Sequence, residues 1–561
     1  MRPLAGSLRL VPIRPPGAPN VANDPNGANE EARLMPSAED RLTGWRFLLF
    51  TAALAVGNVV ALSNVPGYTV LAPYAAGSLQ GVNPSFGTWA TTDHMMGIVL
   101  GLPLARWLSG RYGDARVYAS AFVAYALFSL ACAMSETIWF FVPMRFLLGL
   151  AGGVLLPLGQ ALALNEIPEN RRVFGVAWWG VLSMAPFTLG VFMGGFWAEY
   201  VNWRMLFYSN IILGLPIAGL VVALLYGRPH RRRIVRFDAI GFLLICVTLV
   251  GVQTILNQGN DFDWFGAPIL AALLVAVIIA LPAFVVWELG ERTPALDLRL
   301  FRHRNYAVGV FCSVAGFLVI QGTLSVFVGQ LQTLLGYPSS LAGVVYLSMA
   351  ICAAPLVSIM HLIVRRVDLR YFASLNFIGF AVTLTWLGEY DKVASFDQIT
   401  TPMIFFGLFL ATFFAPPAAI AVQGLSGQKL IRAAEELAML RTAFGAYGIT
   451  SQAVVQFRRA PVHQLGMADH LGGREYPSLD ALGALTRKLQ DLGLSEAVTN
   501  VQISRLMRQQ ALLLGLDDAF YFGAMVFLCL AAIIWLARPA PAAKPEPKPS
   551  LADFEAEELM E

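Results

Sequence analysis

Charge is scarce in this sequence. Only 13% of its 561 residues are Asp, Glu, Lys or Arg, against about 25% in a soluble globular domain, so an ordinary water-soluble fold is excluded. The net charge of +3 leaves no basic surface of the kind a nucleic-acid partner needs. Cysteines are few: Cys132, Cys246, Cys312, Cys352 and Cys529 all sit inside apolar runs with no short-range pairing. That spacing argues against a disulfide framework or a thiolate metal site, and they read as small apolar residues. No metal or other cofactor is expected. No G-x-x-x-x-G-K-[ST] loop is present to suggest direct use of ATP. The first forty-odd residues lack the apolar stretch of a signal peptide; rich in Pro, Asn, Gly and Glu, residues 1–44 read as a disordered cytoplasmic tail, and 538–561 as a second one.

What fills the chain is hydrophobic: 57% of residues, gathered into runs of about 20, the length that crosses a ~30 Å hydrocarbon layer as a helix. Fourteen runs fall near 45–64, 86–108, 117–135, 138–163, 173–197, 205–226, 239–256, 267–288, 306–329, 341–364, 371–388, 402–424, 433–456 and 519–537. Basic loops alternate with nearly bare ones. Arg111 and Arg116, Arg171 and Arg172, the Arg228–Arg236 cluster, Arg299 to Arg304, Arg365 to Arg370, and Lys429 with Arg432 all fall on one side. The positive-inside rule then places both termini in the cytoplasm. One stretch, 457–516, is long and polar on the outer side, with leucines at helical spacing from about Leu479. It reads as one or two amphipathic helices, either a surface cap or a docking site for an extracytoplasmic partner.

Several motifs sit on this frame. The loop after run two reads Arg106-Trp-Leu-Ser-Gly110-Arg111-Tyr-Gly113-Asp114-Ala-Arg116, a glycine turn whose charges can latch to a neighbouring helix end in one conformation and release in another. Run four carries Arg145 near its start, then Gly149, Gly152, Gly153, Pro157 and Gln160. An arginine in a span costs roughly 2.5–3.5 kcal/mol at the centre, so it should face a polar cavity or a partner. Run five carries Pro186, Gly190, Gly194 and Gly195; small residues four apart permit close helix contact, and the proline permits a bend. Asn202-Trp203-Arg204 through Asn210 follows.

This ordered series resembles the fourteen-helix drug:proton antiporters of the major facilitator superfamily, of the EmrB type, over residues 45 to 540. Further matching pieces are Gly87-Thr-Trp89, Asp238-Ala-Ile-Gly241, Asp263-Trp264-Phe265, Trp287-Glu288-Leu289, Asp297-Leu-Arg-Leu-Phe301, Arg304-Asn305, Gln332 with Gly336-Tyr337, Arg365-Arg-Val-Asp368, and Arg441. The resemblance implies an all-α membrane protein with a six-helix bundle at 45–226, two extra central helices within 227–300, and a second six-helix bundle at 301–537. It implies alternating access around a midplane cavity and export of amphipathic organic compounds in exchange for protons. It also implies a place in a bacterial inner membrane, and a periplasmic adaptor with an outer-membrane channel as partners. It assigns Gln160, Gln332 and Arg441 to cavity or gate positions.

The sequence departs from the family near the end of run one. Family members carry an Asp there; this chain reads Leu62-Ser-Asn64-Val-Pro66, and Asn64 cannot lose a proton. Gly110 likewise stands where the loop motif has an Asp, with Asp114 close by. Run two holds Asp93-His94, about seven residues inside the span, roughly 10 Å deep. Ionisable residues at that depth point to function, and Asp93 is read as the replacement carboxylate with His94 as a second titrating group; the alternative is a wet outer vestibule around both. Glu435 and Glu436 at the start of run thirteen read as a helix cap, a cation-attracting entrance, or partners for Arg441. A dedicated metabolite or siderophore exporter, or a transporter not coupled to protons, is the competing reading. Gly424-Leu-Ser426-Gly427 superficially resembles an intramembrane-protease motif, but no histidine lies in any later span to activate the serine, and no enzyme activity is expected.

Overall fold

The computed structural model describes residues 41–79, 85–168, 172–225, 236–366, 368–390, 394–471, 476–493 and 495–539. The expected tails therefore lie almost wholly outside the described residues, as does the Arg228–Arg233 cluster. The chain divides into two units, Met1–Leu42 and Thr43–Glu561, and the helices below belong to the second.

An apolar segment in hydrocarbon must satisfy its own backbone groups, and a helix does so within one segment. Among the described residues the protein is all-helical. Helices α1 (Gly44–Ser78), α2 (Ser85–Tyr112), α3 (Asp114–Ala133), α4 (Ile138–Glu166), α5 (Arg172–Tyr200) and α6 (Met205–Leu225) come first. The pair α7 (Ala239–Gln258) and α8 (Pro268–Gly290) follows, then α9 (Arg304–Thr333). The tenth and twelfth runs are each split, into α10 (Ser339–Leu347) with α11 (Ala350–Arg366), and α13 (Phe396–Phe413) with α14 (Ala415–Val422), on either side of α12 (Leu369–Leu387). Last come α15 (Gln428–Leu471), α16 (Tyr476–Asp491) and α17 (Glu496–Ile533). Every expected span falls on helix. Among the described residues, eleven are long and apolar enough to cross a membrane; the other three, on α2, α12 and α15, carry more polar side chains.

Two expectations change. Run one does not end at residue 64: α1 continues to Ser78 through Pro66 and Pro73, because no charge interrupts residues 65–78. Asn64 thus sits in the middle of a helix. The amphipathic helix expected within 457–516 is α16, and more of the segment is helical than expected, since α15 and α17 run on into it.

Within the first six helices α2 packs on α4, α1 on α5, and α3 on α4 and α6. In the later part α9 and α17 both pack on α15, and α12 on α17. The two parts meet where α2 touches α15 and where α5 touches α10 and α11; α7 lies against both α2 and α15. The α2–α4 seam is close enough to demand glycine. A Cβ on Gly149 would stand 2.0 Å from the His94 carbonyl oxygen, and one on Gly97 2.2 Å from that of Phe146. Backbone atoms cannot swing aside as a side chain does. Gly149→Ala is therefore expected to cost about 1–3 kcal/mol or more, read as a lower unfolding midpoint in detergent; an unchanged midpoint would mean that the seam yields without strain.

Candidate functional site

Arg145 is fully buried at 0% exposure, and α1, α2 and α6 surround it. Its Nη1 donates to Asn64 Oδ1 (3.4 Å), its Nη2 to the Asn64 carbonyl (3.3 Å) and its Nε to the Ala90 carbonyl (3.4 Å). The guanidinium lies 4.3 Å from the Tyr68 ring centre and 5.5 Å from that of Phe207, a stacking that a planar, weakly hydrated cation tolerates better than an ammonium would. Among the described residues no carboxylate pairs with it.

Asn64 thus lies against the buried arginine, and it does so as an amide. Its Nδ2 donates to Tyr125 Oη (2.5 Å), Asn210 Oδ1 (3.0 Å) and the Val60 carbonyl (3.1 Å). Asn210 in turn donates to Ser129 Oγ (2.8 Å), and Ser129 to the Phe207 carbonyl (3.0 Å). Asn64 Oδ1 meanwhile accepts from Arg145 Nη1 and from Asn210 Nδ2 (3.3 Å), so the amide donates on one edge and accepts on the other, which an ionised carboxylate cannot do.

Asp93 and His94 are both buried, 7% and 0% exposed, not solvated groups of an open vestibule. His94 Nδ1 lies 3.1 Å from the Arg145 carbonyl oxygen, and its Nε2 has no hydrogen-bond partner. Asp93 Oδ1 is also without one, and the carboxyl lies beside Trp89, whose ring meets Trp139 edge-on at 6.0 Å. The turn from Ala90 to His94 therefore touches Arg145 at both ends and carries Asp93 between them.

A second cation inside an expected span, Arg441 on α15, is half-buried and lies between aromatic rings: 4.7 Å from the Phe414 centre and 5.7 Å from that of Phe317. Phe317 meets Phe187 of α5 edge-on at 6.5 Å, so this cluster bridges the two parts. Near it Gln321 Nε2 contacts Met95 Sδ across the same seam at 3.9 Å. Glu435 and Glu436 do not partner Arg441. Glu435 pairs with Arg106 of α2 (3.0 Å), so the loop motif does reach across to the other part, through its first arginine. Glu436 accepts from the Asp297 backbone N–H and from Tyr306 Oη. Within the motif Gly113 takes φ +93°, Asp114 opens α3, and Arg111 stacks over Tyr112; Gly110 is buried and Arg116 exposed.

At the opposite helix ends Gln332 Nε2 donates to the Val70 carbonyl and to Ser339 Oγ, both at 3.0 Å, and Ser339 Oγ donates to Tyr74 Oη (2.9 Å). The run-five motif serves the same closure. Gly190 packs on Pro66, Gly194 on Gly67 and Gly195 on the Ser339 backbone, where a Cβ would stand 2.2 Å from the carbonyl oxygen; Pro186 lies within α5 one turn before Gly190. Gln160 is exposed near the end of α4. On the surface, Asp368 caps α12 and the Arg370 guanidinium holds its carboxyl below the usual range.

The polar residues Gln253 and Asn257 of α7 join it to its neighbours, though sequence alone does not show with which partners. Gln253 donates to Thr450 Oγ1 (2.7 Å), Thr450 to Asn257 Oδ1 (3.0 Å), and Asn257 to Thr92 Oγ1 (2.7 Å). The only signal of this thread in the sequence is the presence of Gln253 and Asn257 in an otherwise apolar run.

A model of the Major Facilitator Superfamily matches residues 47–456. The chain is 26% identical to "Multidrug export protein EmrB" of Escherichia coli (strain K12), with 89% of this chain and 96% of that protein covered. It is 28% identical to "Fatty acid resistance protein FarB" of Neisseria gonorrhoeae, with 89% and 97% covered. Among solved structures, that of a D-xylose-proton symporter superposes with a TM-score of 0.55 at 13% identity, covering 88% of this chain and 99% of the other, a likeness of fold. With many apolar helices and this match over most of its length, the chain is a multi-pass membrane protein that belongs to the Major Facilitator Superfamily, a family of transporters.

Proposed function

We propose that the protein exports small amphipathic compounds across a bacterial inner membrane in exchange for protons, by rocking the bundle 45–226 against the bundle 301–537. Both termini face the cytoplasm in this reading, so the Gln332–Ser339–Tyr74 contacts close the periplasmic end. The helical protrusion at 457–516 is the place for a periplasmic adaptor leading to an outer-membrane channel. The names of the relatives, multidrug export and fatty acid resistance, support the direction and the substrate class. One proton entering under roughly 150 mV supplies about 3.5 kcal/mol, enough for about a 300-fold gradient.

The observation that carries the reading is Arg441 set against Phe317 and Phe414, with Phe187 closing the cluster from the other bundle. Apolar walls accept many shapes, and a cation with no carboxylate partner among the described residues favours an acidic head group. The same observation favours a second reading, a dedicated exporter of amphipathic acids. Inside-out vesicles given a proton gradient test both. Uptake of a weakly acidic uncoupler and of a lipophilic cationic dye is measured in wild type and Arg441→Leu. Loss of one charge-assisted contact is expected to raise the apparent KM for the acid roughly ten- to hundredfold and to leave the dye untouched. Equal uptake of the acid by both proteins would remove Arg441 from recognition. Transport of the acid alone would favour the dedicated exporter.

A further inference from the structure

The link between α8 and α9 is held by two buried carboxylates on consecutive backbone amides. Glu288 Oε2 accepts the Leu296 N–H at 3.4 Å, and Glu436 Oε1 of α15 accepts the Asp297 N–H at 2.6 Å. The extra helix pair is thereby tied to the helix that carries Arg441 and that latches to Arg106. Glu288 is 0% exposed, yet its Oε1 has no hydrogen-bond partner, and neither has the buried Oδ2 of Asp238.

Those two orphan oxygens converge on one glycine. A Cβ on Gly241 would stand 2.3 Å from Asp238 Oδ2 and 2.5 Å from Glu288 Oε1, so only glycine leaves room for both. The other Asp238 oxygen accepts from the Gly241 N–H and from Trp287 Nε1, each at 2.9 Å, which joins the start of α7 to the end of α8.

Among the described residues, the charged and titratable groups near the pair in space or sequence are Arg236 just before α7, Glu291, Asp297 and Arg299 on the link, Glu435 and Glu436 on α15, Tyr306 on α9 and Arg106 on α2. Arg299 Nη2 donates to the Leu289 and Glu291 carbonyls, and Arg106 pairs with Glu435. Among the described residues no cation pairs with Asp238 or Glu288. Two like charges gathered at one glycine, with no counter-ion among the described residues, are costly, and a proton shared by the pair relieves that repulsion.

We propose that Asp238 and Glu288 form a proton-binding site, separate from Asp93, that holds one shared proton and fastens the α7–α8 pair to α15. With the proton bound, the ends of α7 and α8 are drawn together and the link presents Leu296 and Asp297 to Glu288 and Glu436. With the proton gone, the carboxylates repel, the link slackens, and the start of α15 is freed to move with its bundle. The extra helices then act as a strut whose grip depends on cytoplasmic proton activity.

The test reads conformation directly. Spin labels are placed at Val286 on α8 and Ile431 on α15, both exposed, in the full-length protein freed of its five cysteines. Their separation is measured at mildly acidic and mildly alkaline pH, without substrate or gradient. In wild type the distribution is expected to lengthen at alkaline pH. In Glu288→Gln and in Asp238→Asn it is expected to stay at the short, acidic distance at both pH values, since either amide donates the bond that the proton would make. A wild-type distance that ignores pH, or either variant keeping the wild-type response, would overturn the proposal. Asp93→Asn should keep the full response, so failure of proton antiport through α2 and failure of this site are separate results.

Discussion

Replacing Asp93 by Asn is expected to abolish uphill export while sparing downhill movement of substrate. In vesicles held at roughly 150 mV, the accumulation ratio should fall from as much as about 300-fold to about one. Among the described residues the buried carboxylates are Asp93, Glu166, Glu288 and Glu436. The last three lie at or within about a turn of the end of an expected span, whereas Asp93 lies about two turns inside one. The change is isosteric, so packing against Trp89 is kept and only the ability to exchange a proton is lost. Fluorescence of an internal pH probe, followed as substrate is added, separates the steps: wild type should show substrate-driven proton movement and the variant none. A variant that still builds the wild-type gradient would move the coupling proton to another group.

How far the sequence reaches is clear from this same region. The fourteen runs announced their helices, because an apolar stretch in lipid has one good backbone solution. Asn64, which the sequence marks as a departure from the family, proves to contact Arg145. The end of run one was misplaced because two prolines, which normally end a helix in water, stand inside α1. What surrounds Arg145 was hidden for another reason. Tyr68, Tyr125, Ser129 and Asn210 come from three different helices, and hydropathy says nothing of which faces meet. The bond from Glu436 to the Asp297 amide was equally hidden, since it joins residues 139 positions apart in sequence. The pairing of Arg106 with Glu435 shows the same limit. The motif predicted a latch, but not that its first arginine would form it.

Arg145→Met is expected to leave a folded protein that does not transport. The usual argument for a buried arginine is structural, since breaking a buried ion pair costs about 3–5 kcal/mol by stranding the partner charge. That argument fails here, because no carboxylate among the described residues pairs with Arg145 and its removal strands no anion. Two of its three acceptors are backbone carbonyls inside helices α1 and α2, which the helices' own N–H groups serve. Asn64 keeps its own bonds to Tyr125 and Asn210. The loss should therefore be confined to cation–π and packing terms, about 1–3 kcal/mol, a moderate drop in unfolding midpoint. Function is another matter. The guanidinium is a fixed positive charge in contact with the α2 turn that carries Asp93, and it ties that turn to Asn64 of α1. Without it, proton arrival at Asp93 has no cation to answer, and the turn is no longer held to the neighbouring helix. Arg145→Lys should do worse in stability than Arg145→Met, because an ammonium is more strongly hydrated and cannot reach acceptors on two helices with one planar fork. Measuring unfolding midpoint and gradient-driven export for both variants decides the matter. A methionine variant that fails to fold would make Arg145 a structural keystone, and one that folds and exports normally would remove it from the mechanism.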